Sequence, residues 1–181
     1  MRGLTLIELL MTLAILALLL TMAIPSVVPW IERTHADADR HTFATIIQTS
    51  RSAAIQFGQA VTLCPGSRRG CGTRNSWHLG TVAFTDRNGN RRRDEDDVLL
   101  ASVADLSSRV IWRSFRNRSY LRFTPRGFTD WQNGHFLFCP QDGDPQQARQ
   151  LVLNATGRLY FSQDEDRDGI HEDRRGRPLV C

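Results

Sequence analysis

From Leu9 to Ile24 the chain runs sixteen residues without a charge. Counted from Leu4, the apolar segment is 21 residues long and holds a single acid, Glu8. As a helix at ~1.5 Å per residue it is about 30 Å long, the thickness of a bilayer's hydrocarbon core. The pattern predicts a transmembrane helix over residues 4–29. A secretory signal is a poor match, because it wants a basic region before the apolar run and a small-residue cleavage site after it. Ile24-Pro25 and Val28-Pro29 follow instead, and Pro25 kinks a continuing helix rather than ending it when packing holds both halves. After Pro29 the apolar spacing becomes three and four. Phe43, Ile46, Ile47, Ser50, Ala54 and Phe57 form one stripe, with Arg33, Asp37, Arg40 and Arg51 mostly off it. This predicts an amphipathic continuation of the helix over residues 30–58, stopped by Gly58, with the stripe packed on a globular head.

Beyond Gly58 the period shifts to two. "AVTLC", "GTVAFTD", "DVLLASV", "RVIWRSF", "SYLRFTP", "GHFLFCP" and "RQLVLN-ATG-RLYFS" alternate between turn-rich segments. They read as strands of one antiparallel, β-rich head over residues 59–181, the last two joined in a hairpin by "NATG". The fold class expected is α+β: a long N-terminal helix, half transmembrane and half amphipathic, packed on an antiparallel sheet head. A length of 181 residues suits one domain plus a membrane segment.

Charge adds a second theme. All 23 basic residues are arginine, the net charge is +4 and the pI is about 9.3. A GC-rich genome gives the same bias, so arginine enrichment alone names no ligand. Its placement says more. Between Asp105 and Asp130 stand Arg109, Arg113, Arg116, Arg118, Arg122 and Arg126, with no acid among them. If "NRSYLRF" is a strand, Arg118, Tyr120 and Arg122 share one face while Leu121 and Phe123 point inward. A basic stripe with an interleaved aromatic is the footprint of phosphate contact plus base stacking; a solvated cationic face, or one paired with acidic loops of the same head, is the plainer reading. Arg174, Arg175 and Arg177 extend the basic set into the tail.

Two acidic loops invite a metal test. Asp164, Asp166, Asp168 and Gly169 match the first half of an EF-hand loop, but Arg175 stands at the twelfth position, where a bidentate Glu belongs. Asp86, Asn88, Asn90 and Asp97 fit alternate and twelfth positions of an earlier loop, but Arg91 replaces its glycine. The sequence therefore assigns no metal and no cofactor, leaving Asp164, Asp166 and Asp168 as a weak calcium candidate. No G-x-S-x-G, H-E-x-x-H or Walker A motif occurs and the five histidines are scattered, so an enzyme is not expected.

"RGLTLIELL" resembles the class III signal of type IV prepilins and type II secretion pseudopilins. "VTLCPG…C", "VAFTDRNGNRRRDEDDVLL", "FLFCP" and "ARQLVLNATGRLYFSQDEDRDGIHED", with a terminal cysteine, resemble the GspH/FimT group of minor pilins and pseudopilins. The resemblance implies a leader of residues 1–3. A prepilin peptidase would cut between Gly3 and Leu4 and N-methylate Leu4, although the family's usual first mature residue is Phe and its leader is longer. Glu8 would meet the N-terminal amine of a neighbouring subunit, so other pilins or pseudopilins become partners through the N-terminal helix. The chain would cross the bacterial inner membrane once, head in the periplasm, where disulfides persist. Four cysteines permit three pairings; easy local closure and a tail with little apolar anchoring favour Cys64–Cys71 and Cys139–Cys181. Some FimT-like minor pilins bind DNA through G-R-x-R near the C-terminus. The matching stretch is Gly157-Arg158-Leu159-Tyr160: Arg158 carries over, and Tyr160 replaces the second arginine. Weak, sequence-independent binding of double-stranded DNA by Arg158, Arg174, Arg175, Arg177, Arg118 and Arg122 is the sharper expectation. The function expected is that of a minor pilin-like structural subunit for type IV pilus assembly that aids DNA uptake; the alternative is an H-type minor pseudopilin of a type II protein secretion system.

Overall fold

Helix α1 runs from Leu6 to Phe57, 52 residues and about 78 Å long. The computed structural model describes residues 5–181, except the side chains of residues 22–29. The expected cut between Gly3 and Leu4 thus lies outside the described residues. The helix continues through Pro25 and Pro29. Within its apolar half the hydroxyls of Thr12 and Thr21 donate to the carbonyls of Leu9 and Leu18, both at 2.8 Å, which hides the polar groups an apolar surface would otherwise carry. Leu6, Ile7, Leu9, Leu10, Met11, Leu13, Ile15, Leu16, Leu18, Leu19 and Leu20 are all exposed. Among the described residues no helix is long and apolar enough to cross a membrane; within the expected 4–29 segment, side chains are described from Thr5 to Thr21.

The second half of α1 lies in a saddle between two antiparallel sheets. One contains β1 (Val61–Ser67), β2 (Gly70–Cys71), β3 (Gly80–Thr85), β4 (Leu99–Ala104) and β6 (Leu121–Phe123), with β1 flanked by β3 and β6 and folding back on β2 at its end. The other runs β5 (Arg109–Ser114), β7 (Gly134–Cys139), β8 (Arg149–Leu153), β9 (Leu159–Phe161) in that order. Period-two alternation turns Leu63, Leu121, Phe123, Trp112, Phe136, Phe138, Leu151 and Leu153 toward the helix, all buried. Phe43 meets them: its ring sits 5.1 Å from Phe136 and 5.4 Å from Phe138, both edge-on, and 6.2 Å from Trp77. Trp112 stacks on Phe136 at 4.2 Å.

Phe43, Ile46, Ile47, Ser50 and Ala54 are buried as the stripe requires, but Phe57 is half exposed. It falls in the last turn, where Gly58 adopts φ +60° and the chain leaves the helix; phase alone does not bury a residue once the chain turns away. The off-stripe flank is less solvated than its composition suggests. Arg40 is buried, donates to Asp37 at 2.7 Å and to the Ser162 carbonyl at 3.2 Å, and lies 4.9 Å from the Phe161 ring centre. Arg149 of β8 reaches the same Asp37 oxygen at 3.3 Å. Asp39, also buried, accepts from the Ser108 backbone N–H at 2.7 Å. A polar edge of the helix is thereby fastened to the second sheet.

Cys64 is bonded to Cys71, and Cys139 to Cys181. The first closes the β1–β2 turn. The second ties the end of the tail to β7, and the tail has an apolar anchor of its own: Leu179 is buried against Leu137, Cys139 and Ala148.

Candidate assembly and nucleic-acid interface

Glu8 lies in the first turn of α1 and is exposed. An acid in the first turn of a helix complements the helix dipole. Around it the described side chains are aliphatic and bare. A surface of this kind is stable only against lipid or other apolar helices, and it is the candidate assembly face.

The six arginines between Asp105 and Asp130 do not form one stripe. Arg109 and Arg113 lie on β5, at the edge of the second sheet, while Arg118 and Arg122 flank and occupy β6 of the first. Tyr120 is buried against Cys64, Val82 and Phe84. Arg118 donates to its hydroxyl at 3.2 Å, and the Arg91 guanidinium lies 5.2 Å from its ring centre. The aromatic that alternation placed for base stacking is covered by the head's own arginines. Arg122 packs over Gly89 of the loop after β3, so this part of the basic set leans on an acidic loop of the same head.

The second basic set is more open. Arg158 is exposed just before β9. Its main chain belongs to the β8–β9 hairpin, where the Asn154 side chain accepts from the backbones of Thr156 and Arg158. Gly157 has φ +77°, and a Cβ there would meet Arg51 and the Gly127 carbonyl at 2.7–2.8 Å. Arg51 donates to that carbonyl at 2.9 Å. The glycine of "GR" is therefore required by packing, whatever Arg158 does. Tyr160 pairs with Val152, which pairs with His135, which pairs with Arg113, one row across the outer face of the second sheet. Arg174 folds back from the tail until its guanidinium lies 4.8 Å from the Tyr160 ring centre. The structure thus brings Arg174 to Tyr160, two residues beyond Arg158, which sequence spacing could not do. Arg175 is exposed; Arg177 is engaged with Asp173 at 2.6 and 3.0 Å, and it holds the Asp173 carboxyl down at about 2. The sequence set of six is in two places: Arg158, Arg174, Arg175 and Arg177 on or near the tail, Arg118 and Arg122 on the first sheet.

Two histidines beside this face set a pH dependence. Burial, then the Arg113 charge, pushes His135 below its ordinary value; burial, then Arg149, does the same to His171. Both folded values are depressed, so the unfolded chain binds the extra protons. Neither group costs stability above about pH 6.5, and stability falls as pH drops below it. The melting temperature is expected to be lower at pH 5 than at pH 7.5, and a His135→Gln/His171→Gln chain should show a flatter profile over that interval.

The two acidic loops differ. In the first, Thr62 donates to Asp86 at 2.6 Å, the side-chain amides of Asn88 and Asn90 donate to Asp94 at 2.7 and 2.8 Å, and the Asp94 N–H donates to Asp97 at 2.9 Å. This loop ties its carboxylates largely to its own side chains, whereas the aspartates of the second accept from the backbone N–H groups of Arg167, Asp168, Gly169 and Ile170. In the second, one carboxylate oxygen from each of Asp164, Asp166, Asp168 and Glu172 lies within 4.8 Å of the others. The EF-hand spacing puts Arg175 at the twelfth position, and Glu172, at the ninth, falls outside that pattern.

A family model described as type II transport protein GspH matches residues 40–157. Among solved structures, the chain resembles the type IV minor pilin FimU of Pseudomonas aeruginosa (strain PAO1), with TM-score 0.54 and 15% identity over 74% of this chain and 92% of that one. It also resembles the minor pseudopilin EpsH from the type 2 secretion system of Vibrio cholerae, with TM-score 0.51 and 10% identity over 70% of this chain and 95% of that one. No curated protein matches it.

Proposed function

Since this chain belongs to the GspH family of type II transport proteins, whose fold it shares with a minor pilin and a minor pseudopilin, we propose that it is a structural subunit serving type IV pilus assembly and aiding DNA uptake. One observation carries the subunit reading: the division of α1. From Ala36 to Ala54 its apolar stripe is buried in the head, while from Leu6 to Leu20 its aliphatic side chains are bare. A helix clothed at one end and naked at the other is built to be held first by lipid and then by other helices.

In this reading a prepilin peptidase cuts after Gly3 and methylates Leu4. The helix anchors the chain in the inner membrane, and the head faces the periplasm, where both disulfides persist. Apolar packing drives extraction into a filament, and Glu8 sets register by pairing with a neighbour's N-terminal amine. The exposed arginines favour the pilus: Arg174 lies over Tyr160, Arg158 is two residues before it and Arg175 follows Arg174, cations suited to the phosphates of double-stranded DNA, bound weakly and without sequence preference. The second reading, an H-type pseudopilin that helps push folded cargo outward, is favoured by the description of the matching family.

The deciding experiment is an in-frame deletion. Loss of piliation and transformation with secretion intact supports the pilus; loss of exoprotein secretion with both retained reverses the order. For DNA, gel shifts at low salt should show binding that an Arg158→Ala/Arg174→Ala/Arg175→Ala chain loses by at least about tenfold, since each phosphate contact contributes to log K. Equal binding by both chains removes the site.

A further inference from the structure

We propose that residues 164–172 form a calcium site, with Asp164, Asp166, Asp168 and Glu172 as its carboxylate ligands. The segment reads D-x-D-x-D-G-x-x-E. Its first six positions follow the EF-hand order, with Gly169 at the sixth. The twelfth position, Arg175, cannot ligate a cation. Glu172, at the ninth, supplies the missing acid from within a shorter loop.

Glu172 carries the assignment. It is 93% buried by its 7% exposure, and its Oε1 is buried with no hydrogen-bond partner. Its Oε2 accepts from the Glu165 backbone N–H at 2.7 Å. A carboxylate oxygen shut away from water and left unpaired is costly, and a cation supplies what that oxygen lacks. The other three acids converge on the Glu172 carboxylate, one oxygen from each of the four lying within 4.8 Å of the others. Asp166 and Asp168 are exposed and Asp164 is half-buried, so the cluster opens to solvent on one side and ends in the buried glutamate on the other.

The surrounding charge points the same way. Among the described residues, none of the four acids forms an ion pair with an arginine. Arg177, five residues beyond Glu172, takes Asp173 instead. Four carboxylates held together without a cation repel one another, whereas a chain of 23 arginines has cations to spare. Oxygen-only, multiply anionic donors favour a hard divalent ion, and calcium accepts an irregular coordination shell where magnesium demands an octahedral one. The segment lies beyond residues 40–157 matched by the family model.

The placement gives the ion a task. Glu172 bridges Gln163 on one side and Pro178 on the other, and the Leu179 N–H donates to the His171 carbonyl at 2.9 Å. Calcium at Glu172 would brace the tail from which Arg174 reaches Tyr160. If that arginine contacts DNA as proposed above, calcium prepares the contact; the ion-binding test stands apart from it.

Calcium chloride titrated calorimetrically into the EGTA-stripped, detergent-solubilised full chain should give one site per chain with Kd on the order of 10⁻⁴–10⁻³ M. At tenfold saturation the melting temperature should rise by about 3–6 °C. Asp166→Asn, an exposed substitution that leaves the fold intact, and Glu172→Gln should each weaken binding at least about tenfold. No calcium heat up to about ten times the weakest expected Kd, equal binding of magnesium chloride, or unchanged affinity in Asp166→Asn overturns the site.

Discussion

Glu8→Ala is expected to insert into the membrane and be processed at Gly3 normally, yet to reach filaments at a level at least about tenfold below the unchanged chain. The apolar segment loses nothing by the change, since alanine is less costly to a bilayer than a carboxylate, and the head is more than twenty residues away along α1. In the proposed assembly, what disappears is one partner of a charge pair between subunits. Truncating one side of a pair in a low-dielectric setting leaves the other charge unpaired and costs roughly 3–5 kcal/mol, more than enough for the expected loss. Fractionation and mass spectrometry of the N-terminus check insertion and processing; immunoblotting of sheared filaments checks incorporation. Incorporation at the normal level would remove Glu8 from assembly. Glu8→Gln separates charge from size, and it should behave like the alanine chain.

Phe43→Ala is expected to have the largest effect on stability, a loss of about 3–5 kcal/mol. Phe43 has no exposed surface, and its ring faces Phe136, Phe138 and Trp77 at once. Removing it opens a cavity where the helix meets both sheets, and it also deletes edge-on aromatic contacts of about 0.5–1.5 kcal/mol each. Against a total stability of roughly 5–15 kcal/mol, the head should be close to unfolding at ordinary temperature. Urea denaturation followed by tryptophan fluorescence is the direct measurement, because Trp77 reports from beside the cavity. Phe43→Leu should cost far less than the alanine change; equal losses would mean that the ring's shape, rather than the void, governs the site.

Much of the architecture is legible in the sequence because it is written in periodicity. The helix stripe from Phe43 to Ala54 and the strands from Val61 to Phe161 need only the rule that apolar positions seek one face. Misreadings arise where a residue's neighbour is remote in sequence. Tyr120 alternates outward as expected, yet Arg91 and Arg118 cover it. Arg40 lies off the stripe yet is buried, its two terminal nitrogens donating to Asp37 and the Ser162 carbonyl.

The basic and acidic sites divide in the same way. Composition puts arginines in "NRSYLRF" and "EDRRGRP" but does not say which share a surface. Folding separates Arg118 and Arg122 from the tail and brings Arg174 to Tyr160. Three aspartates at alternate positions were plain along "DEDRDG"; the burial of Glu172, which makes them more than a solvated turn, was not.

By itself, then, the sequence determined the long two-part helix, the antiparallel head, and the spacing of Gly3, Leu4 and Glu8, because local period and short motifs need no partner. Only the tertiary structure decided that the helix packs between two sheets, that the tail's arginine reaches β9 and that an unpaired glutamate closes the aspartate loop. Those depend on contacts across long chain separations, where burial and charge compensation are settled by what the fold brings alongside.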